Sequence, residues 1–416
     1  MTVAAHPTGK PAPRELALLL TLAAVQFTHI VDFMIMMPLG PQFMRLFGIG
    51  PQAFGALVSA YTFAAAASGF IAAFWIDRFD HKRALLALYA GFIVATALCG
   101  IAPSYELLLA ARVVAGSFGG VIGGLVFAIV ADAVPYARRA RATAVVAAAF
   151  SLAAVAGVPL ALWLAVHFSW RAPFLALAAA SVVVGAGAMR ILPPLRAHLA
   201  HAQTRRPVER LRLIFGVPNH LRAFAFMITL MFAGFSVIPF IAPYNVANVG
   251  IAEADLAVLY FAGGLATLFT AQVFGRLADR HGKKRMFTIV ALLSVVPILI
   301  MTHLPRLPLA AVLPFSTLFF IFVTGRFGPA MALVSGSVEP RLRGSFMSFN
   351  ASIQQLGSGA AAMAAGLIIG RAPDGTLTHY GVVGWLAAGC TLLCIWLARR
   401  IRVVGDDSHA PPSRLE

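Results

Sequence analysis

Asp32 lies in the run FTHIVDFMIMMPLGP, one helical turn after His29 and two after Gln26, with no other charged residue between Glu15 and Arg45. Residues three or four apart share a helical face, so these three polar groups line one side of an apolar helix. Burial of a carboxylate favours its neutral form and a nearby guanidinium favours the ionised form, so such a group exchanges a proton when its surroundings move. The matching cation is Arg112, in the equally apolar LLLAARVVAGSFGG, where Gly116, Gly119 and Gly120 follow at spacings that let helices approach closely. An arginine in that setting must face a cavity or an acid, and Asp32 is the carboxylate well inside the apolar runs of the first half. Proton handling by Asp32 and Arg112, with His29 beside them, is the expectation. The competing readings are a structural hydrogen bond from Asp32 to a neighbouring helix and a satisfied core position for His29.

The elements that position these residues follow from composition. Apolar residues make up 60% of the 416, before glycine is counted, against ~45–50% with glycine in soluble domains. Charged residues are only 11%, so the chain is expected to be a polytopic membrane protein. A span needs about 20 apolar residues, and proline, glycine and basic clusters mark out twelve. They are 15–39, 53–76, 84–102, 106–131, 142–166 and 172–192, then 220–246, 255–278, 286–303, 308–335, 344–369 and 380–398. The fold class is all-α, with two six-helix bundles. A tail (1–14), a first bundle (15–192), a polar connector (193–219) read as a solvated linker, a second bundle (220–401) and a tail (402–416) complete the organisation. Residues 1–14 lack a short apolar core with a cleavage site, so the first span is expected to stay in the mature chain.

The net charge of +17 resides in loops. On this reading of the spans, 26 Lys and Arg fall on one side and four on the other, Arg45, Arg171, Arg306 and Arg371. The positive-inside rule then places both termini in the cytoplasm, and the charge is no sign of nucleic-acid binding. Cys99, Cys390 and Cys394 lie inside apolar runs, without metal-ligand or disulfide spacing. The five tryptophans fall near span ends and read as an aromatic belt.

Two loops about two hundred residues apart echo each other. Gly275–Arg285 reads GRLADRHGKKR and Ala73–Arg83 reads AFWIDRFDHKR, the match lying at Asp77-Arg78 and Asp279-Arg280 and at the basic ends. A second echo sets Asp132, Arg138 and Arg139 beside Glu339, Arg341 and Arg343. A repeat of this length means two homologous halves. The loops resemble those of the major facilitator superfamily between its second and third and its eighth and ninth helices. In the later copy Gly275, Asp279, Arg280, Gly282 and Lys283 match throughout. The earlier copy keeps Asp77, Arg78 and Arg83 but has Ala73 and Asp80 where glycine is usual and His81 where a base is usual.

The resemblance implies that Asp77 and Asp279 cap the N-termini of the eleventh and fifth spans in the opposite half. With Asp132, Arg139, Glu339 and Arg343 they would form a latch that breaks when the cytoplasmic side opens. The plain alternative is that the bases only set topology. Gly157 and Pro159, followed by Trp170 and Arg171, resemble sugar-efflux and arabinose-efflux members of the drug:proton antiporter group, with Ala161 or Leu162 where that group has glycine. Proline bends a span, so Gly157 with Pro159 and Pro239 with Pro243 are the expected bends, the second pair near an outer gate at Tyr244, Asn245 and Asn248. Arg326 faces either an anionic group of the substrate or helix carbonyls. Gln26, Arg326, Asn350 and Gln354 are the candidate cavity residues, the last two being four apart on one helical face.

These readings imply a transporter of a small molecule, driven by the proton gradient without a bound cofactor or metal, monomeric, in a bacterial inner membrane. Proton-coupled efflux of a drug or sugar is expected and uptake by symport is the alternative. A membrane enzyme would need a convergent nucleophile, base or metal cluster, and a receptor a sizeable output domain. The chain shows neither.

Overall fold

The computed structural model describes residues 13–196 and 207–404; the side chain of Asp77 also lies outside the described residues. Among the described residues, eleven helices are long and apolar enough to cross a bilayer: α1 (Arg14–Ile35), α2 (Pro51–Trp75), α3 (His81–Ile101), α4 (Tyr105–Ala133), α5 (Arg141–His167), α6 (Arg171–Ile191), α7 (Pro218–Val249), α8 (Glu253–His281), α9 (Lys283–Thr302), α10 (Leu309–Gly336) and α12 (Tyr380–Arg400). The twelfth, α11 (Arg343–Ile368), is as long, and its Asn350, Gln354 and Gln355 make it more polar. All twelve expected spans are therefore present as helices.

Local chemistry sets their ends. Proline opens α2 and α7, where its missing N–H would be unpaired in any case. The Asp80 carboxylate accepts from the Lys82 amide at 3.0 Å and starts α3. Ser104 does the same for α4 through the Leu107 amide at 3.4 Å. Between α8 and α9 the backbone turns at Gly282 with φ of +91°, a conformation that favours glycine. The first span, expected to reach residue 39, ends at Ile35 instead, and a separate short helix follows over Gly40–Leu46. Pro38 and Pro41 around Gly40 account for the break. One small departure from the all-helical expectation is an antiparallel ladder pairing β1 (Gly370–Arg371) with β2 (Leu377–Thr378).

Two further expectations are corrected. The connector holds a helix, Pro207–Phe215, whose Ile214 is buried. Phe215 lies 6.4 Å from the Phe70 ring of α2 and 5.5 Å from the Phe349 ring of α11. That end of the connector is thus docked, because its apolar residues find aromatic partners. Among the tryptophans, Trp75, Trp163, Trp385 and Trp396 are exposed but Trp170 is buried, edge-on to Phe43 of the Gly40–Leu46 helix and to Phe47 just after it. Trp170 is a packing residue.

Small residues let the two halves approach along α2 and α11. A Cβ at Gly55 would stand 2.7 Å from the Ala362 carbonyl and one at Gly366 2.8 Å from that of Pro51. Ser59 Oγ donates to the Gly359 carbonyl at 2.8 Å. The second seam joins α5 and α8, where a Cβ at Gly264 would meet the Ala154 carbonyl at 2.8 Å. Within the first half, Gly116 and Gly120 of α4 lie against the Tyr61 and Ala65 carbonyls of α2, at 2.2 and 2.3 Å from an added Cβ.

The two membrane faces differ. Opposite the basic loops, Arg45 forms a two-point ion pair with Glu253 across the halves, its Nη2 donating at 3.2 Å. An added Cβ at Gly40 would fall 2.8 Å from Pro243, so this face is shut. Toward the basic loops, a Cβ at Gly124 of α4, Gly275 of α8, Gly328 of α10 or Gly344 of α11 would meet nothing within 4 Å.

Replacing Gly120 by Ala should lower the unfolding temperature in detergent by overpacking, at about 1–3 kcal/mol, whereas Gly124→Ala should leave it unchanged. Equal effects would show that the α2–α4 seam is not tight. Glu253→Gln removes a partly exposed pair, so the open fraction of the opposite face should rise by no more than about fivefold. Pulsed electron paramagnetic resonance distances between labels on the ends of α1 and α7 report this, and an unchanged distribution would count against the clasp.

Candidate functional site

Four helices of the first half converge on Asp32, which is fully buried. Arg112 Nη1 donates to its Oδ2 at 2.7 Å and lies 3.4 Å from its main-chain oxygen. Thr96 Oγ1 of α3 donates to Oδ1 at 3.2 Å. The Arg112 guanidinium carbon stands 4.3 Å from the centre of the Tyr61 ring. This ring reaches the cation because Gly116 lets the α2 backbone close on α4. The pair expected from sequence is therefore in direct contact, held by a hydroxyl and an aromatic face. Removing one partner of a buried pair costs about 3–5 kcal/mol, since it strands the other charge.

His29 and Gln26 continue this line along α1. Neither ring nitrogen of His29, nor Gln26 Oε1, nor the Tyr61 hydroxyl meets a hydrogen-bond partner among the described residues. His29 carbon Cε1 and Gln26 Nε2 lie 3.7 and 3.8 Å from the Cβ position of Gly123. The next residue, Gly124, borders open space. Buried polar groups are rarely left unpaired, so this row is suited to water or a ligand entering from the open side.

The second half is built differently. Arg326 is 2% exposed, and its Nη1 donates to Thr391 Oγ1 of α12 at 2.9 Å and Ser294 Oγ of α9 at 3.3 Å. Two hydroxyls hold it, in place of the helix carbonyls considered from sequence. No carboxylate forms an ion pair with it among the described residues. Asn350 and Gln354 share a face of α11, as expected, with amide nitrogens 4.0 and 3.8 Å from the Met331 sulfur of α10. The Asn350 Oδ1 is buried without a partner among the described residues.

Near the prolines expected to bend them, α5 and α7 change helix type. In α5 a wider π-helical turn, Ala153–Gly157, stands just before Pro159, and Gly157 faces Val31 of α1, 2.4 Å from an added Cβ. In α7, Pro239 lies in a tight turn, Ile238–Phe240, and Pro243 precedes a second wide turn, Asn245–Val249. Tyr244 donates to the Leu304 carbonyl at 2.9 Å. Asn248 exchanges two hydrogen bonds with Leu377 at 2.8 and 2.9 Å, which anchors the β ladder.

The basic loops depart from expectation. Asp279 is exposed and makes no hydrogen bond or ion pair among the described residues, and Arg78, Arg83, Arg280 and Lys283 are exposed too. Glu339 pairs with its neighbour Arg341 at 2.6 Å, and Arg343 donates to the Ser335 carbonyl at 3.1 Å. Asp132 meets His81 at 2.7 Å, Arg138 meets Glu15 at 3.0 Å, and Arg139 donates to the Ala131 carbonyl. Each of these contacts stays within one half. The capping of α5 by Asp279 is not made in this structure, and the side chain of Asp77 lies outside the described residues.

Asp80 and His81, the departures from the family pattern, carry the first-half network that the sequence reading missed. Asp80 Oδ2 accepts from Arg196 at 3.1 Å, and its Oδ1 accepts from the Leu195 amide at 3.3 Å and starts α3. An Asp just ahead of a helix is a capping signal, and that signal was legible. Burial pushes the Asp80 carboxyl up, but Arg196 and the surrounding amides outweigh it and hold the group below the ordinary aspartate range. A depressed value means that its stabilising contribution is present above the unfolded-state pKa and lost as pH falls through the folded one. The unfolding temperature of Asp80→Asn should therefore lie below the parent's at pH 7, with the gap closing below about pH 4. A gap that does not change with pH would assign Asp80 a purely neutral role.

Comparison with known proteins agrees with this geometry. The family profile described as Major Facilitator Superfamily matches residues 22–237 and again 223–415. The chain is 27% identical over 401 residues to the uncharacterized MFS-type transporter YceJ of Bacillus subtilis (strain 168), covering 94% of this chain and 98% of that one. Among solved structures, the D-xylose-proton symporter superposes with a TM-score of 0.74 at 15% identity, over 93% of this chain and 97% of the other. A bacterial homolog of the human lysosomal transporter Spinster, inward-facing and unoccupied, gives 0.70 at 16%, over 94% and 95%. Such identities speak for the fold alone. With two matched halves, twelve helices and the paired loops, the chain belongs to the major facilitator superfamily, a family of membrane transporters and not of enzymes.

Proposed function

We propose that the chain is a proton-coupled exporter of a small organic compound, working by alternating access in a bacterial inner membrane, as a monomer with both termini cytoplasmic. The observation that carries this reading is the Asp32–Arg112 pair, an ionisable contact sealed among α1 to α4. With the basic loops assigned to the cytoplasm, the space between the halves faces inward and the Arg45–Glu253 clasp shuts the outside. Substrate then enters past Gln26, His29, Asn350 and Gln354. In the outward-open state a proton reaches Asp32 Oδ2, neutralises it and frees Arg112 Nη1. The protonated form favours return to the inward-facing state, where the proton leaves and the pair re-forms. Asp77, Asp279 and the basic residues near them act as the inner latch, engaged when the outside opens.

Export rests on the resemblance of the Gly157–Pro159 and Trp170–Arg171 segments to efflux-type members. Symport is the second reading, supported by the shared fold with a D-xylose-proton symporter. Proteoliposomes with an imposed pH gradient, screened over drugs, sugars and nucleosides, separate the two by the sign of the flux. Asp32→Asn should reduce gradient-driven flux at least tenfold while leaving gradient-independent exchange. The double variant Asp32→Asn with Arg112→Gln removes both charges and guards against a folding defect. Full gradient-driven flux in either would end the coupling role of Asp32.

A further inference from the structure

The two halves treat their buried arginines unequally. Asp77 and Asp279 are 202 residues apart, and the same offset carries Asp32 onto Gly234. The same offset carries Arg112 onto Pro314, so the two arginines correspond by helix and not by register. In the first half, Arg112 of the fourth helix points at Asp32 of the first. In the second, Arg326 of the corresponding α10 points at Gly234 of α7, its Nη2 3.6 Å from where a side chain there would begin. Thr96 of α3 supports the first pair, and Ser294 of α9 touches Arg326. The second half thus holds the cation and its hydroxyl support without the acid.

The surroundings do not supply another one. The titratable neighbours that act on Arg326 are the thiols of Cys390 and Cys394. Its described hydrogen bonds use Nη1 only, so Nη2 and Nε have donors to spare. A buried guanidinium without a counter-charge is costly, and its planar fork suits a carboxylate or another small anion. A side chain at 234 would meet Ile238 and Val323 at 3.8 Å, an ordinary contact distance, so the place is lined but not blocked.

We infer that Arg326, with Ser294 and Thr391, is an anion site at Gly234 that takes a carboxylate of the transported compound or a free anion of similar size. This deepens the transport reading by naming a substrate class, yet the binding itself needs no gradient. It also makes the second half dependent on its ligand for a charge that the first half carries in its own chain. When the anion leaves, the cation is again uncompensated, which ties occupancy to the packing of α7 against α10.

Thermal unfolding of the purified full chain in detergent tests the site, with benzoate against benzamide, and chloride against the bulkier isethionate at fixed ionic strength. One of benzoate or chloride should raise the unfolding temperature by about 2 °C or more, and benzamide should not. A benzoate response points to the carried compound and a chloride response alone to a free anion. Gly234→Asp supplies the missing acid, so it should raise the resting unfolding temperature and abolish the anion response. Arg326→Gln should abolish the response as well, and covers the case in which Gly234→Asp does not fold. Asp32→Asn should keep it, which separates this site from the coupling role of Asp32. Absence of any anion response in the parent, or an undiminished response in Arg326→Gln or Gly234→Asp, would overturn the inference.

Discussion

An ion pair shut away from water inside an apolar bundle is the constraint on which the rest of this structure depends. Asp32 and Arg112 can share α1 and α4 only if both charges remain satisfied, since either one alone in that setting is strongly unfavourable. The glycines of α4 admit the α2 backbone, Tyr61 covers the guanidinium, and Thr96 takes the second carboxylate oxygen. Each of these features has a plain packing role, and together they keep both charges of the pair satisfied away from water.

Contact between the halves is distributed to suit a rocking motion. The α2–α11 seam runs from Gly55 and Gly366 through Ser59 and Gly359 to the rings of Phe70 and Phe349. The α5–α8 seam sits at the level of the wide turn before Pro159. Charged contact across the halves is found on the face opposite the basic loops, while on the basic face the described ion pairs remain internal to each half. The same chain thus carries one charged clasp across the halves on one face and, on the other, described ion pairs within each half.

Much of this was legible in the sequence. Twelve apolar runs gave the spans because proline, glycine and basic clusters interrupt them sharply, and the echo of Asp77-Arg78 in Asp279-Arg280 disclosed the duplication. Elimination named Asp32 as the natural acid for Arg112, since few charges lie inside the runs, but whether the two touch was not readable. Contacts between distant loops were not. His81 with Asp132 and Asp80 with Arg196 depend on how helix ends meet, which periodicity does not encode. Trp170 looked like a belt residue because its position in the chain was right, and only the Gly40–Leu46 helix folding over it made it core. Likewise, the partners of Arg326 are hydroxyls from helices 32 and 65 residues away, and no local pattern announces them.

The docked end of the connector has a mechanical consequence. Phe215 rests on rings belonging to both bundles, beside the Phe70–Phe349 contact that joins them. A loose tether would leave the two bodies independent between their seams. An aromatic wedge instead ties the strip of chain joining the halves to both of them, so any change in their relative position must also slide or break the Phe215 contacts.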